Sequence, residues 1–377
     1  MKYRKFFAAD MDVSLLGFGA MRLPVIDGDS SKIDEAEAIR MIRYAIDNGV
    51  NYVDTAYVYH REKGELLVAK ALSDGYREKV LLATKMPFWR MSGPEDMGKM
   101  IDEQLAKLAT DCIDMYLIHD IHGTNWDTVL EWKMWDFLVK QREAGKIRFI
   151  GFSFHGESAE EFKKVLDKYP WDFCQLQINY MDKDEQAGTE GFAHAVSKGV
   201  PVIIMEPLKG GKLTDVIHPS IQKYWDSLGS DRTPAEWALR WAANLPGVLT
   251  ILSGMSTMEQ VEENIRVLSD ADTGMLTEEE LAVLDKVADE YRDLIAYPCT
   301  NCKYCMPCTA DIDIPLMLHL RNMCEIYGNA DKIKTSEYPF MVSVDASACT
   351  ACGKCEDECP QHLEIIRAMR ETVEIFE

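Results

Sequence analysis

Short apolar runs alternate with stretches of helical periodicity along most of this 377-residue chain. Between residue 13 and about residue 268, each run rich in β-branched side chains is followed by apolar residues spaced as on one helix face. Eight strands are predicted in this way: Leu15–Gly19, Val50–Asp54, Val80–Lys85, Ile113–His119, Ile147–Ser153, Phe173–Ile178, Val200–Met205 and Val248–Ser253. Alternating strands and helices over roughly 250 residues are what a closed (β/α)8 barrel requires, so the pattern predicts an α/β TIM barrel. An open doubly wound sheet is the alternative.

Residues that favour helix ends support this count of units. Asp34-Glu35-Ala36-Glu37 has the form of a capping box, and Pro94 and Pro234 stand where a proline can open a helix. Before the first barrel strand, Tyr3–Phe7 and Val13–Leu16 predict a β-hairpin. We expect this hairpin to plug the floor of the barrel.

A change of composition near residues 291–298 predicts a second domain. Thr277–Arg292 has helical periodicity, and a helix of about 16 residues spans ~24 Å, enough to carry the chain from the bottom of the barrel towards its top. The residues beyond this helix are rich in cysteine. We therefore predict a barrel domain over residues 1–290 and a small α-helical, ferredoxin-type domain over residues 291–377.

The charge balance excludes two classes of partner. Lys and Arg number 41 against 63 Asp and Glu, and the net charge of −22 disfavours binding to nucleic acid or to an anionic membrane surface. The amino terminus has a basic start but no apolar core of signal-peptide length, and no later run is long enough to span a membrane. A cytoplasmic location is the expectation from these features.

Eight of the 11 cysteines lie between Cys299 and Cys359, which favours metal ligation over disulfides in so large a chain. The second of two runs, Cys349 to Cys359-Pro360, has the spacing of bacterial ferredoxins, whose last cysteine binds the neighbouring cluster. This crossover predicts two 4Fe-4S clusters with the ligand sets Cys299, Cys302, Cys305 and Cys359, and Cys308, Cys349, Cys352 and Cys355. Two zinc sites are the alternative.

The first run departs from the ferredoxin pattern. Only two residues, rather than three, separate Cys305 from Cys308, and Thr309 follows Cys308 where proline is usual. The remaining cysteines, Cys112, Cys174 and Cys324, lie in predicted strands or in a helix and are interpreted as packing residues.

Four polar side chains stand at or after the carboxyl ends of predicted strands, where barrel enzymes carry their catalytic groups. Asp54 ends the second strand, Tyr59 follows in its loop, Lys85 ends the third strand and His119 ends the fourth. A tyrosine is a poor acid at neutral pH unless a nearby cation favours its anion. Lys85 is the candidate cation. Taken singly, each residue could instead be a helix cap, a solvated strand end or a packed histidine.

These residues resemble the catalytic tetrad of the aldo-keto reductase family. The similarity rests on Asp54-Thr55-Ala56 with Tyr59, on Leu82–Lys85 and on Ile113–His119, and it covers about residues 10–290. It implies a TIM barrel that reduces a carbonyl with NAD(P)H. In the implied roles Tyr59 protonates the carbonyl oxygen, Lys85 lowers the pKa of Tyr59, Asp54 holds Lys85 and His119 orients the carbonyl. The tail resembles a dicluster ferredoxin module, which a known subgroup of the family carries.

The same resemblance implies a set of cofactor contacts. Ser153 and Gln175 match family residues that bind the carboxamide of the nicotinamide. Phe154 stands where the family usually has asparagine, and Met205 stands where an aromatic side chain usually stacks under the nicotinamide ring. Residues in the stretch that resembles the family's adenosine-phosphate site are Gly254, Ser256, Gln260 and Asn264. Ser256 could also be a simple helix cap. NADPH-preferring members usually carry a basic pair in this stretch, so the neutral Gly254 and Gln260 predict that NADH binds at least as well as NADPH.

The leading hypothesis is therefore an iron-sulfur oxidoreductase that reduces a small carbonyl compound, or an activated double bond. Its clusters would exchange electrons with the barrel cofactor or with an external ferredoxin-like carrier. A flavin would ease the change from hydride to single electrons, although no flavin motif is visible. The alternatives are a redox sensor or electron-transfer protein without turnover, and a reductase whose clusters are purely structural.

Overall fold

The computed structural model describes residues 1–214, 217–299 and 302–376. Contacts divide the chain into two compact units, one formed by Met1–Gly210 with Ala235–Thr277 and the other by Gly211–Pro234 with Glu278–Glu377. The division proposed from the sequence, between residues 290 and 291, falls inside a helix that groups with the second unit. No helix in the described ranges combines the length and the apolar character needed to cross a membrane.

Eight parallel strands close into a barrel in the first unit, in the order β10-β3-β4-β5-β6-β7-β8-β9. The strands are β1 Tyr3–Phe6, β2 Met11–Ser14, β3 Leu16–Gly19, β4 Tyr52–Asp54, β5 Leu81–Met86, β6 Ile113–Ile121, β7 Ile147–Phe154, β8 Phe173–Gln177, β9 Val202–Met205 and β10 Val248–Gly254. All eight predicted barrel strands are present, and the closure of β9 onto β10 rules out the open sheet.

Helices follow the barrel strands and continue through the second unit. They are α1 Glu35–Asp47, α2 Gly64–Ala71, α3 Met97–Lys107, α4 Trp126–Glu131, α5 Met134–Glu143, α6 Ala159–Leu166, α7 Gly188–Ser197, α8 Pro219–Ser227, α9 Pro234–Asn244, α10 Met258–Asp270, α11 Glu278–Asp293, α12 Ile314–Tyr327, α13 Ala330–Ser336, α14 Tyr338–Met341, α15 Lys354–Asp357 and α16 Ile365–Phe376. The predicted caps agree with these bounds. The Asp34 carboxylate accepts a hydrogen bond from the Glu37 amide at 3.2 Å, and Pro94 opens a 3₁₀ turn that leads into α3.

The amino-terminal hairpin covers one end of the barrel, as predicted. β1 and β2 pair antiparallel, and Phe6 and Val13 are fully buried in one apolar cluster with interior barrel residues. That cluster includes Tyr52 and Leu81, the first residues of β4 and β5. Because these are amino ends of parallel strands, the hairpin lies at the floor and the carboxyl ends remain available for a site.

The second unit has a core of its own around the cysteine-rich segments. Residues of α12 and α16 pack with Ala346 and the buried Cys359 in one apolar cluster. The Asn322 amide accepts from the Tyr297 N–H at 2.9 Å and donates to the Tyr297 carbonyl at 2.7 Å, as a paired strand would. The Tyr297 hydroxyl donates to Glu371 at 2.9 Å. These bonds fix the chain just before Cys299.

Candidate active site

The first four polar residues singled out from the sequence converge at the carboxyl ends of β4, β5 and β6. Asp54 is the last residue of β4, Lys85 the penultimate residue of β5, and His119 lies in β6. Adjacent strands pair in parallel register, with Asp54 opposite Ala83 and Lys85 opposite Leu117. The barrel thus brings together side chains from three strands and the loop that carries Tyr59.

The Lys85 ammonium is the centre of this group. Its Nζ donates to the two carboxylate oxygens of Asp54 at 2.7 and 2.8 Å and to the Thr55 carbonyl at 2.9 Å. It lies 3.4 Å from the Tyr59 hydroxyl. Lys85 and Asp54 are 1% and 2% exposed, so little solvent screens the ion pair.

Burial and neighbouring charge have opposite effects on the pKa of Lys85 and on the pKa of Tyr59. Burial lowers the pKa of Lys85, but Asp54 and Tyr59 together raise it above its ordinary value, and the ammonium stays charged. For Tyr59, burial raises the pKa and outweighs the lowering effect of Lys85. Lys85 therefore acts in the predicted direction without bringing the phenol below its usual range. The phenol remains protonated at neutral pH and can donate its proton.

His119 lies beside Tyr59 as a neutral imidazole. The centroids of the two rings are 6.3 Å apart and the ring planes meet at 83°. The imidazole also contacts the Trp89 ring, with 5.0 Å between the centroids. Burial, followed by the charges of Lys85 and His155, holds the pKa of His119 well below its ordinary range. Nδ1 of His119 is buried and has no hydrogen-bond partner among the described residues. A neutral imidazole can donate one N–H to a carbonyl oxygen.

Trp89 is a rim residue that the sequence reasoning missed. Its side chain is 46% exposed although its ring is large and apolar, and it follows Lys85 by four residues in a 3₁₀ turn. Arg90, in the same turn, forms an ion pair with Glu62, which lies three residues after Tyr59. This ion pair links the loop after β4 to the loop after β5. The sequence signal that could have indicated Trp89 is its place in Pro87-Phe88-Trp89, just after a predicted strand that ends in a lysine.

A buried polar network supports β5 from behind. The Gln104 amide of α3 donates to the Lys85 carbonyl at 3.0 Å and to Glu65 at 2.8 Å, and its oxygen accepts from the Tyr116 hydroxyl at 2.6 Å. Glu65 also accepts from the Thr84 hydroxyl at 2.7 Å, and burial raises its pKa. These bonds fix the backbone at Lys85. Sequence periodicity showed only two helices here and not their buried polar contacts.

The cysteine-rich segments of the second unit line two neighbouring cavities. A cavity of about 310 Å³ is lined by the four cysteines of site A, which are Cys299, Cys302, Cys305 and Cys359. A cavity of about 420 Å³ is lined by the four cysteines of site B, which are Cys308, Cys349, Cys352 and Cys355, together with Cys305. No disulfide bond links any of the 11 cysteines, all of which lie among the described residues. The other three, Cys112, Cys174 and Cys324, line neither cavity.

Two sequence families match this chain. The model of the aldo/keto reductase family matches residues 15–289, and the model of the 4Fe-4S binding domain matches residues 342–362. The chain belongs to the aldo/keto reductase family. It is therefore an oxidoreductase with a (β/α)8 barrel and a 4Fe-4S binding domain at its carboxyl end.

Known members of the family match over the barrel. L-galactose dehydrogenase of Arabidopsis thaliana is 27% identical in an alignment of 303 residues that covers 75% of this chain and 93% of the relative. The holo form of the aldo-keto reductase AKR11C1 from Bacillus halodurans is 27% identical with a TM-score of 0.63, covering 76% of this chain and 96% of that chain. An aldo/keto reductase from Klebsiella pneumoniae in complex with NADP and acetate is 25% identical with a TM-score of 0.60, with the same coverage of 76% and 96%.

In this aldo/keto reductase the residues expected at the carboxamide lie on neighbouring strands. Ser153 of β7 is opposite Gln175 of β8, and its hydroxyl accepts from the Asp120 amide at 2.8 Å. The Gln175 amide nitrogen lies 3.4 Å from the Met205 sulfur at the end of β9. The Gln175 oxygen is buried and finds no donor in the described part of the chain.

The predicted adenosine-phosphate residues gather at the amino end of α10. Gln260 accepts from the Ser256 amide at 2.7 Å, and the Ser256 hydroxyl donates to the Arg22 carbonyl at 2.7 Å. Asn264, one turn further, is buried and donates to Ser253 at 2.9 Å. Ser256 is not the helix cap, since Thr257 accepts from the Gln260 amide in that role.

Arg22 is a further residue of this aldo/keto reductase that the sequence reasoning missed. Its side-chain carbons lie against Gly254, where a Cβ would come within 3.1 Å of them. Its guanidinium donates to Glu206 at 2.9 Å, directly after Met205. The pair spans the carboxyl ends of β3, β9 and β10. Arg22 and Glu206 are 184 residues apart in the chain, so no local sequence pattern indicates this ion pair.

Proposed function

We propose that this protein is an iron-sulfur aldo-keto reductase that reduces a small carbonyl compound, or an activated double bond, with NAD(P)H. Its two 4Fe-4S clusters, in a domain that we assign to residues 291–377, exchange electrons with the barrel cofactor or with an external ferredoxin-like carrier. The observation that carries the proposal is the Lys85 ammonium, which binds Asp54 and lies 3.4 Å from the Tyr59 hydroxyl. Carbonyl reduction by anaerobically prepared protein tests it, and Tyr59→Phe is the decisive variant.

The residues of the site supply the proton and orient the carbonyl. A bound reduced nicotinamide supplies the hydride, which adds to the carbonyl carbon and moves the π electron pair onto oxygen. The Tyr59 O–H gives its proton to that oxygen, so that the product is an alcohol. The nearby Lys85 ammonium stabilises the phenolate that remains, and the neutral His119 holds the oxygen by an N–H. Asp54 keeps the ammonium in place.

The carboxamide contacts favour a nicotinamide cofactor. Gln175 presents a buried oxygen that needs a donor, and a carboxamide N–H is a donor of the required kind. Ser153 lies opposite Gln175 in the register. A relative from Klebsiella pneumoniae was solved with NADP, which supports the same class of cofactor here. Met205 offers a soft, polarisable thioether where the family resemblance implies an aromatic ring. A flavin is the alternative cofactor.

NADH should bind at least as tightly as NADPH. Gly254 and Gln260 carry no positive charge, and the Gln260 side-chain oxygen accepts from the Ser256 amide, so neither residue supplies an ion pair to the 2′-phosphate. Dissociation constants for the two cofactors should differ by less than about tenfold, because an exposed charge contact is worth roughly 1 kcal/mol or less. Fluorescence titration measures both. Gln260→Arg should shift the ratio towards NADPH, and a hundred-fold advantage for NADPH in the unaltered protein would contradict the prediction.

The two cavities favour two clusters over two zinc ions. Each cavity is lined by cysteines from both sequence runs, and Cys305 lines both cavities. Within the described residues, no three His, Cys, Asp or Glu side chains are grouped as they would be around a single metal ion. A 4Fe-4S cluster instead binds its four thiolates through four separate irons.

Cysteine substitutions should reveal the crossed ligand sets. Each of Cys299→Ser, Cys359→Ser, Cys308→Ser and Cys355→Ser should lower the iron content from about eight to about four per chain, because each set loses one ligand. The cluster that survives distinguishes the sets. Cys299→Ser and Cys359→Ser should share one EPR spectrum, and the variants at Cys308 and Cys355 another.

Cys324→Ser is the matched control, since Cys324 is buried in α12 outside both cavities and its loss should not change the iron content. If Cys359→Ser gave the same spectrum as Cys355→Ser, the last run would hold one cluster alone. The crossover would then be wrong.

A further inference from the structure

A threonine hydroxyl contacts one cysteine sulfur of site B. Thr309 Oγ1 lies 3.5 Å from the Cys352 Sγ, across 43 residues of sequence. A cluster-bound cysteine is a thiolate and can only accept, so the hydroxyl is the donor of this bond. Thr309 is therefore a hydrogen-bond donor to a ligand of the proposed second cluster.

Site B also receives backbone donors. The Ala310 N–H donates to the Cys308 Sγ and the Ala351 N–H to the Cys349 Sγ, both at 3.4 Å. Among the residues that the structure describes, no side-chain hydroxyl makes a comparable bond to a cysteine of site A. Within the described residues, the hydroxyl bond is thus a difference between two sites that have the same four-cysteine composition.

Thr309 occupies the position where the ferredoxin spacing usually has proline. A proline at this position has no side-chain hydroxyl, so it cannot make this bond. The residue directly follows Cys308, the single ligand that the first run contributes to site B. The departure from the pattern in residue type therefore coincides with a side-chain hydroxyl bond to a ligand sulfur.

A donor on a ligand sulfur favours the reduced cluster. One-electron reduction takes a 4Fe-4S cluster from the 2+ to the 1+ state without a proton, and part of the added negative charge resides on the thiolate sulfurs. Hydrogen bonds to these sulfurs and exposure to solvent both stabilise that charge and raise the reduction potential. Each site has one exposed cysteine, Cys302 at site A and Cys352 at site B, whereas only site A has a buried one, Cys359.

We propose that the Thr309 hydroxyl raises the reduction potential of the cluster at site B, so that the first electron entering the two-cluster module resides there. This inference rests on the two clusters of the proposed function. A hydride that gives its two electrons to the clusters leaves as a proton, and the electrons then occupy both clusters, one each, with site B filled before site A. Thr309 is a tuning residue, and it binds no substrate or cofactor in the barrel.

The test is an anaerobic redox titration of the full chain with dithionite as the one-electron donor, followed by EPR. The unaltered protein should show two one-electron steps, and the step at higher potential should be absent in Cys308→Ser. Thr309→Val should move that step to lower potential, so that the reduced-to-oxidised ratio of site B at a fixed potential falls about threefold or more. Thr309→Ser, which keeps the hydroxyl, should retain the unaltered midpoint.

Two comparisons make the outcome decisive. Thr335→Val is the matched control, because the hydroxyl of Thr335 donates to the Asp331 carbonyl in α13 and its loss should leave both midpoints unchanged. Thr309 is exposed, so Thr309→Val should bind as much iron as the unaltered chain, and Thr309→Ala provides a second hydroxyl-free variant. Two intact clusters with unchanged midpoints in both hydroxyl-free variants would overturn the inference alone. A chain that binds no second cluster would overturn the proposed cluster content instead.

Discussion

Tyr59→Phe should lower kcat for carbonyl reduction by about 10²–10⁴-fold, the usual contribution of a positioned general acid. Phenylalanine keeps the ring beside His119 and removes only the hydroxyl near Lys85. Lys85 would still donate to Asp54 and to the Thr55 carbonyl, so no buried charge loses its partner. The affinity for the cofactor should therefore stay the same. Anaerobic oxidation of NADH with a panel of aldehydes and ketones measures the rate, and cofactor titration measures the affinity.

Tyr57→Phe is the matched control for this variant. Tyr57 is two residues away, and its hydroxyl donates to Glu103 at 3.0 Å outside the group around Lys85. Its loss should leave the turnover within about twofold of the unaltered protein, as expected when no group that acts in the transition state is removed. Reduction of every tested carbonyl at an unchanged rate by Tyr59→Phe would refute the catalytic role.

The pH dependence of reduction follows from the same residue. Burial raises the pKa of Tyr59 above its ordinary value, so the phenol stays protonated through neutral pH. Because reduction uses the protonated phenol, its rate should fall only as alkaline pH approaches that pKa. Oxidation of the alcohol uses the phenolate and should rise over the same pH range.

The barrel could be predicted because its strands are buried on both faces. All six residues of β5, Leu81–Met86, are buried. The strand is therefore apolar except for Thr84 and Lys85. A polar residue in such a run must have a buried partner, and this is why Asp54 and Lys85 indicated a site. The two side chains form an ion pair in the structure.

Strand ends were predicted less well, for a local physical reason. β4 was expected to begin at Val50 but begins at Tyr52. Asn51 instead exchanges two hydrogen bonds with Ser14, in which each side chain takes up the backbone amide of the other residue. Side-chain bonds of this kind replace the strand ladder and leave no mark on the hydrophobic pattern.

The rest of the site depends on contacts between distant segments. Glu65 and Gln104 lie on two different helices and meet only because the barrel packs α2 beside α3. The direction of the Tyr59 pKa shift also required the structure, since the sequence indicates a nearby cation but not the burial that outweighs it. Residue types at strand ends thus indicate which chemistry is present, and the fold determines how strongly each group is perturbed.

Lys85→Met should cause a second large effect, on stability as well as on activity. The substitution keeps an unbranched apolar stem but leaves the Asp54 carboxylate, which is 2% exposed, without its cation. Breaking a buried ion pair in this way costs about 3–5 kcal/mol of unfolding free energy. Urea unfolding measures this loss. Lys79→Met removes an exposed ion pair to Asp47 and should cost about 1 kcal/mol or less.

The double variant Asp54→Asn/Lys85→Met separates the two roles of the pair. Asparagine removes the unpaired buried charge, so most of the lost unfolding free energy should return. Carbonyl reduction should not return, because no ammonium remains to stabilise the Tyr59 phenolate as its proton leaves. If the double variant reduced carbonyls at the rate of the unaltered protein, Lys85 would be a structural partner of Asp54 alone. The ion pair would then explain the fold of the barrel mouth but not its chemistry.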